Sequence, residues 1–184
     1  MIKFAVALLL AATLAAQDWP QLLGPTRNGV YGGPWSDKSG FRQLWKRDVG
    51  AGFSGVAVAG NRVILFHRVN AEEIIESIDA ATGKTQWRHP YPTGYRDDFG
   101  FSEGPRAVPT IDGERVFTYG AEGTLTGVRL DTGARIWTVD ARKQFGIRKE
   151  FFGAACSPVV AGDRLLMNIG GDRKSTRLNS SHAN

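Results

Sequence analysis

The sequence predicts an all-β fold built from four-stranded units that recur about every fifty residues. Three segments share one pattern, in which a short apolar run is followed by glycine, a polar residue, arginine and a second apolar run: VAVAGNRVILF at 56–66, PTIDGERVFTY at 109–119 and PVVAGDRLLMN at 158–168. A second pattern, Thr-Gly followed by tryptophan, occurs at 82–87 and again at 132–137. No helical period is sustained between residues 17 and 172.

Each copy of the first pattern predicts a β-hairpin. Gly60, Gly113 and Gly162 mark the turns, where positive φ is needed, and the flanking runs alternate as strands with one buried face do. The strand-like runs EIIESID and TLTGVRLD precede the two Thr-Gly turns. Each such turn is predicted to join a third strand to a fourth that ends in Trp87 or Trp137. Trp45 is predicted to end a strand in the same way, one repeat earlier.

Four strands and a periodic aromatic residue in repeats of about 40 to 50 residues are typical of β-propeller blades. Immunoglobulin-like sandwiches need about 100 residues per unit, and parallel β-helices have far shorter coils. The sequence therefore predicts a partial β-propeller, with about two and a half blades over residues 44–172. Residues 17–43 form an N-terminal segment that leads into the first blade.

The first sixteen residues have the composition of a secretory signal. Lys3 precedes the apolar run FAVALLLAATLAA, which is too short to span a bilayer. Cleavage after Ala15 and cleavage after Ala16 both remain open. We expect a periplasmic or secreted protein without a transmembrane segment, and its single cysteine, Cys156, excludes an intrachain disulfide.

The positive net charge of +5 does not indicate a nucleic-acid partner. Four of the basic residues lie in two terminal segments that contain no acidic residue, so residues 17–172 carry a net charge of only +1; the four are Lys3, Arg173, Lys174 and Arg177. The last segment, 173–184, is polar and unlike the corresponding parts of the first two repeats. We predict that it is foreign to the protein, as translated adapter sequence would be, and a frayed natural terminus is the alternative.

The first long connection between repeats gathers the weak candidates for chemistry: Asp97, Asp98, Glu103 and Arg106. Clustered carboxylates can bind Ca²⁺ or act as acid and base. The alternative is a solvated loop with an ion pair between Glu103 and Arg106. The second connection lacks matching acids, so no metal site is predicted. Cys156 is expected to be buried, and His67 and His89 are expected in solvent.

Two glycine-rich segments do not predict nucleotide binding. GAGFSG at 50–55 precedes a hairpin, whereas a dinucleotide site needs a helix to follow the glycines. GPTRNG at 24–29 has the glycine spacing of a phosphate loop, but Val30 stands where the lysine is required.

The segment IDAATGKTQW at 78–87 resembles the Asp-x-x-Thr-Gly-Lys-x-x-Trp docking motif of the pyrroloquinoline-quinone (PQQ) type β-propellers. DWPQLLGPTRNGV at 18–30 is similar to secreted PQQ-like repeat proteins. The resemblance implies an eight-bladed propeller in which the tryptophan packs between adjacent blades. It assigns docking roles to Asp79, Thr82, Gly83, Trp87, Thr132, Gly133 and Trp137. The second copy departs from the motif, because Arg129 replaces the aspartate.

The resemblance implies an exported propeller whose face serves binding or scaffolding, similar to the outer-membrane assembly propellers. A protein partner or a small-molecule ligand would occupy that face. The alternative is a PQQ-dependent alcohol or sugar dehydrogenase, for which PQQ and Ca²⁺ follow from family resemblance only. Whether the protein is an enzyme stays open at this point, and the cofactor-binding residues are unknown.

Overall fold

A computed structural model describes residues 17–33, 40, 42–146 and 152–169, together with the backbone of 176–179. The first of its three antiparallel sheets has the order β1-β2-β3-β4. Its strands are β1 (Ala57–Ala59), β2 (Arg62–Val69), β3 (Glu72–Asp79) and β4 (Thr85–Pro92). The second sheet repeats this order with β5 (Thr110–Asp112), β6 (Arg115–Tyr119), β7 (Thr124–Arg129) and β8 (Arg135–Asp140).

The third sheet pairs β9 (Val159–Ala161) with β10 (Arg164–Met167), and β10 with β11 (Thr176–Asn179). The backbone of β11 fills the third-strand position of this sheet although it belongs to the 173–184 tail. The foreign origin of that tail stays a prediction. The predicted signal, residues 1–16, lies outside the described residues.

The three glycine-marked hairpins and the four-strand repeat are confirmed. Gly60, Gly113 and Gly162 have φ of 54°, 55° and 62°, in the left-handed region that favours glycine. The strands on either side pair directly, for example Ala59 with Arg62. The turn residue thus allows each inner strand to fold back on the next one.

The fourth strands extend further than predicted. Trp87 is the third residue of β4 and Trp137 the third of β8, so neither tryptophan ends its strand. Trp45 lies outside any strand, because residues 42–50 form no regular secondary structure. The second connection begins with a single helical turn, α1 (Ala141–Phe145). The Asp140 side chain caps this helix by accepting a hydrogen bond from Lys143 N.

The core lies between neighbouring sheets. Buried aliphatic and aromatic residues of the first two sheets form one cluster: Ala57, Ile64, Phe66, Ile75, Ile111, Val116 and Val128. A second cluster joins the second and third sheets: Ala107, Phe117, Tyr119, Leu125, Ala141, Leu165, Met167 and Ile169. Contacts between β1 and β5 and between β5 and β9 place these short strands side by side. The described sheets are therefore successive blades of a partial propeller with their first strands innermost.

Candidate functional site

The two ends of the strands carry different structures. The antiparallel order places the β2–β3 turn, the β6–β7 turn and the connections 93–109 and 141–158 at one end, which we name the connection face. The hairpin glycines and the Thr-Gly turns lie at the opposite end, the turn face. All four weak candidates for chemistry belong to the connection face.

The Asp97 side chain is fully buried and organises its own loop. One carboxylate oxygen accepts hydrogen bonds from the backbone N–H groups of Phe101 and Ser102. The other lies 3.7 Å from an Arg106 nitrogen. Burial alone would raise the pKa of Asp97, but the two N–H donors and the Arg106 charge outweigh it and hold that pKa below its ordinary value. The ionised Asp97 carboxylate therefore stabilises the conformation of its own loop.

Glu103 is engaged on the other side of the same loop. One Arg96 nitrogen lies 2.8 Å from each of the two Glu103 carboxylate oxygens, and an Arg68 nitrogen lies 3.6 Å from one of them. The buried Arg68 also donates to the backbone oxygens of Tyr95 and Glu103. Hydrogen bonds from Arg96 lower the pKa of Glu103. The predicted ion pair between Glu103 and Arg106 is wrong, since each residue has a different partner.

Arg106 is held between two aromatic rings. Its guanidinium carbon lies 4.9 Å from the centre of the Tyr95 ring and 5.9 Å from that of Phe53. The same group donates to the backbone oxygens of Ser102 and Gly104. Asp98 is exposed beside this arrangement. Of the four candidates, the structure brings together Asp97 and Arg106, and it uses both to fix the loop.

Beside these polar contacts lies a patch of exposed aromatic side chains, the phenylalanine patch, formed by Phe53, Phe99, Phe101 and Phe152. The ring centres of Phe99 and Phe101 are 6.3 Å apart, and those of Phe99 and Phe152 are 5.7 Å apart. Phe53 contacts Arg106, which donates a hydrogen bond to the backbone oxygen of Ser102, the residue after Phe101. Sequence reasoning missed this patch because its members come from three segments that only the fold brings together.

Strand β3 carries two fully buried carboxylates. Glu76 accepts hydrogen bonds from Arg47 at 2.8 Å, from Arg88 at 3.0 Å and from Thr85. Burial would raise the pKa of Glu76, but the hydrogen bonds from Thr85 and Arg88 and the charge of Arg47 outweigh it and lower the pKa. The ionised carboxylate thus joins residues 42–50 to the first sheet.

Glu73 faces the second sheet. It accepts hydrogen bonds from Tyr91 and from the backbone N–H of Ala121, both at 2.8 Å. Burial raises the pKa of Glu73, and these donors only partly oppose the effect. The carboxylate occupies the space where a side chain on Gly120 would lie. Glu73 is therefore a link between blades rather than an open acid.

The two histidines differ from expectation. His67 is buried, its Nδ1 accepts from Gly50 N at 2.8 Å, and its Nε2 lies 3.2 Å from Glu76. Burial lowers the pKa of His67 and outweighs the opposing charge of Glu76, so the neutral form is favoured. His89 is half-buried within β4. Both predictions of a solvent-exposed histidine are wrong.

Cys156 is half-buried and packs against the second core cluster. Its sulfur accepts a hydrogen bond from Asn168 N at 3.3 Å. Within the described residues, no group of three or more His, Cys, Asp and Glu side chains could hold a metal ion. The carboxylates of Asp97 and Glu103 are bound by arginine side chains and backbone N–H groups of the first connection.

The tryptophans contact the Thr-Gly turns of the next repeat. Trp87 Nε1 donates to Leu130 O at 3.0 Å, and its ring covers Gly133 so closely that a Cβ would collide with it. Trp45 Nε1 donates to Ala80 O at 2.8 Å, and its ring covers Gly83 in the same way. Trp137 stacks on Phe117 of its own sheet at 5.8 Å.

The motif residues of the two turns behave differently. Asp79 accepts from the backbone N–H groups of Ala81 and Thr82 and from the Thr82 hydroxyl. Thr132 accepts from Ala134 N at 3.3 Å, but Arg129 rather than an aspartate stands three residues before it. The two turns share the packing of an indole ring on the turn glycine.

A sequence profile of a family described as outer membrane protein assembly factor BamB matches residues 71–184, more than half of the chain. The chain belongs to this PQQ-like β-propeller repeat family. The match covers the first sheet from the β2–β3 turn onward and both later sheets. A search of curated proteins gives no match.

Solved structures share the fold of this PQQ-like repeat chain. The quinohemoprotein alcohol dehydrogenase from Comamonas testosteroni is 17% identical with a TM-score of 0.60, over 87% of this chain and 24% of that one. The quinohemoprotein alcohol dehydrogenase ADHIIG from Pseudomonas putida HK5 is 16% identical with a TM-score of 0.58, over 87% and 26%. BamB from Moraxella catarrhalis is 22% identical with a TM-score of 0.45, over 61% and 32%.

The PQQ-like repeat chain thus spans about a quarter to a third of the length of these structures. At such identities the two dehydrogenase structures show the propeller fold alone. Among the residues that the structure describes, no helix is long and apolar enough to cross a membrane.

Proposed function

We propose that this chain is part of an exported propeller that binds a partner protein during outer-membrane protein assembly. The observation that carries the proposal is the phenylalanine patch on the connection face. The exposed fractions of Phe53, Phe99, Phe101 and Phe152 are 64%, 46%, 69% and 51%. Contiguous exposed apolar surface is typical of interaction sites, and large aromatic side chains dominate the energetics of such interfaces.

The loop beneath the patch is held in place before any partner binds. Asp97 ties the backbone between Phe99 and Ser102, and Arg106 bridges Phe53 and Tyr95. Such preorganisation reduces the entropy lost when the aromatic side chains enter a partner. Charged groups at the margin, among them Arg96, supply the polar rim that protein interfaces have.

The family match supports a partner of one kind. Its description as an outer membrane protein assembly factor supports a protein ligand. The predicted signal at residues 1–16 would deliver the chain to the compartment in which outer-membrane proteins assemble. A periplasmic location and this partner class are thus parts of one proposal.

The dehydrogenase alternative has no comparable support within the described residues. A quinone site would need carboxylates and basic groups directed into an open cavity. Here Asp97, Glu103 and Arg106 direct their polar atoms at the backbone of their own loop and at neighbouring arginine and carboxylate side chains. We therefore assign these residues a structural role.

A photo-crosslinking experiment tests the proposal. A benzoylphenylalanine introduced at Phe101 in the exported protein should crosslink to a component of outer-membrane assembly, identified by mass spectrometry. The matched control places the same group at Ala81, an exposed position in the Thr-Gly turn on the turn face. We expect crosslinks from position 101 and none from position 81.

Equal crosslinking from both positions, or none from position 101, would contradict the proposal. A titration of the protein with PQQ and Ca²⁺ provides the second readout. Quinone binding with dye reduction on alcohols or aldose sugars would favour the dehydrogenase alternative instead.

A further inference from the structure

The N-terminal segment Asp18–Arg27 lies along the innermost edges of all three sheets, a position that the sequence did not predict. Trp19 and Val58 exchange two backbone hydrogen bonds of 2.9 Å on the free edge of β1. The oxygen of Pro20 accepts from Ile111 N on the free edge of β5, at 2.7 Å. Arg27 donates to Val160 O on the free edge of β9, at 2.6 Å.

The three contacts meet the same position of the repeat. Val58, Ile111 and Val160 each stand two residues before a hairpin glycine. At this position the residue lies opposite a residue of the second strand, but its backbone N–H and C=O groups point away from that strand. The repeat therefore places equivalent donors and acceptors along the inner edges, one set per blade.

Side chains hold the segment in register with these groups. Asp18 accepts from Gly60 N at 2.8 Å, in the first hairpin turn. The Trp19 ring folds over Gly24, which has φ of 77° and no room for a Cβ. The Arg27 guanidinium also donates to the Gln21 side chain at 3.1 Å, and this hydrogen bond orients it toward β9.

We propose that the outward backbone groups of Val58, Ile111 and Val160 form a peptide-binding track, and that Asp18–Arg27 occupies this track in cis. The ligand class is an extended peptide that pairs with β1 through its backbone and reaches the third blade with an arginine. The mode is strand addition to an exposed edge. Because the track lies near the turn face, it is independent of the partner proposed for the phenylalanine patch.

The Asp18–Arg27 segment limits access to the propeller axis. The segment covers the inner edges at the turn face across three consecutive blades. A ligand that approaches the axis of these blades would therefore enter from the connection face.

Amide hydrogen exchange in the full chain, resolved by residue with NMR, tests whether the track is occupied. The amides of Val58 and Ile111 donate to the segment, whereas at Val160 the contact uses only the oxygen. We expect the first two amides to exchange at least ten-fold more slowly than the amide of Val160. Similar exchange at all three positions would overturn the proposal.

A second measurement tests the track as a binding site. A fluorescein-labelled peptide with the sequence of residues 17–30 is titrated into a variant that lacks residues 1–33, and anisotropy reports binding. The control peptide carries an N-methyl group at Trp19, which removes the donor to Val58 O without changing any side chain. We expect the control peptide to bind at least ten-fold more weakly, and an Arg27→Ala peptide to lose several-fold.

Equal affinity of the methylated and unmethylated peptides would contradict pairing with β1. If the shortened variant does not fold, hydrogen exchange of Arg27→Ala in the full chain replaces this measurement. The matched control is Arg42→Ala, at another exposed arginine. We expect faster exchange in the segment for Arg27→Ala only, and identical exchange in both variants would overturn the arginine contact.

Discussion

The first and second sheets have the same strand order but different interiors. Fifty residues after Glu73 and Glu76, which are fully buried, the second repeat has Gly123, in the β6–β7 turn, and Thr126, in β7. Thr126 pairs with Thr138 through a hydroxyl contact of 3.3 Å, where Glu76 pairs with Arg88 through an ion pair. At these two positions the first repeat buries charged side chains, whereas the second has small neutral residues. Buried charge is therefore not a requirement of this blade architecture.

The Thr-Gly turns extend the comparison. Gly83 N donates to Asp79 O at 2.8 Å, and Gly133 N donates to Arg129 O at 2.9 Å, so the backbone of the two turns is the same. The Asp79 carboxylate caps the first turn, whereas Arg129 turns away to Asp131 at 3.0 Å. What the two blades share is the backbone turn and the indole that covers its glycine.

The largest expected effect comes from removing a shared feature. Trp87→Ala should lower the free energy of unfolding by about 3–5 kcal/mol, because a large aromatic contact between blades is lost. Urea titration measures the change. Trp87→Phe is the control: it keeps one aromatic ring but loses the hydrogen bond to Leu130 O, worth about 1 kcal/mol, and part of the packed ring area. A loss below about 1 kcal/mol in the alanine variant would show that Trp87 does not join the blades.

Removing the buried charge of the first sheet should destabilise the folded chain. Glu76→Gln should lower the free energy of unfolding by about 2 kcal/mol, because two arginines lose an anionic acceptor and the new amide faces the His67 donor. Thr126→Val is the matched variant in the second sheet and should change it by less than about 1 kcal/mol. Equal losses at the two positions would remove the distinction between the interiors.

The turn glycines should respond alike in both blades. Gly83→Ala and Gly133→Ala should each lower the free energy of unfolding by about 2 kcal/mol, because φ is near 70° and the indole leaves no space for a Cβ. Thermal unfolding of both variants provides the measurement. Gly60→Ala is the control for φ alone, since a Cβ there meets nothing within 4 Å.

The two buried glutamates should give opposite pH dependences. The folded-state pKa of Glu73 is raised, so the folded chain binds its proton more tightly and stability falls as pH rises above the ordinary glutamate range. The folded-state pKa of Glu76 is lowered, so its contribution is lost as pH falls through that value. Unfolding measured from acid to neutral pH should show that Glu73→Gln gains relative to wild type as pH rises. A constant difference would contradict the raised pKa.

The smallest effect should come from exchanging the turn caps. Asp79→Ala should lower the free energy of unfolding slightly, because the N–H groups of Ala81 and Thr82 lose their acceptor in an exposed turn. Arg129→Asp places a carboxylate at the matching position of the second turn but removes the ion pairs of Arg129 with Asp131 and Glu114, so its net effect should be smaller still. Urea titration at neutral pH compares them, and a stabilising Asp79→Ala would show that the cap is not used.

The repeat was predictable because its signals are local. The hairpin glycines, the alternating runs and the Thr-Gly-Trp spacing all lie within a few residues of the structures they specify. The buried state of His67 and Glu76 was not predictable, because their burial depends on Arg47, which is 29 residues from Glu76 along the chain. The Asp18–Arg27 segment was missed for the same reason, since its partners lie on three separate strands.

The indole contact gives the chain a direction. Trp45 covers the turn of the first sheet and Trp87 covers that of the second, so each of these two turns receives a tryptophan from an earlier part of the chain. A first blade that emerges from the ribosome has an uncovered Trp87 until the turn of the second sheet appears. Maturation of the propeller would then proceed in the order of synthesis, with every new repeat completing the one before it.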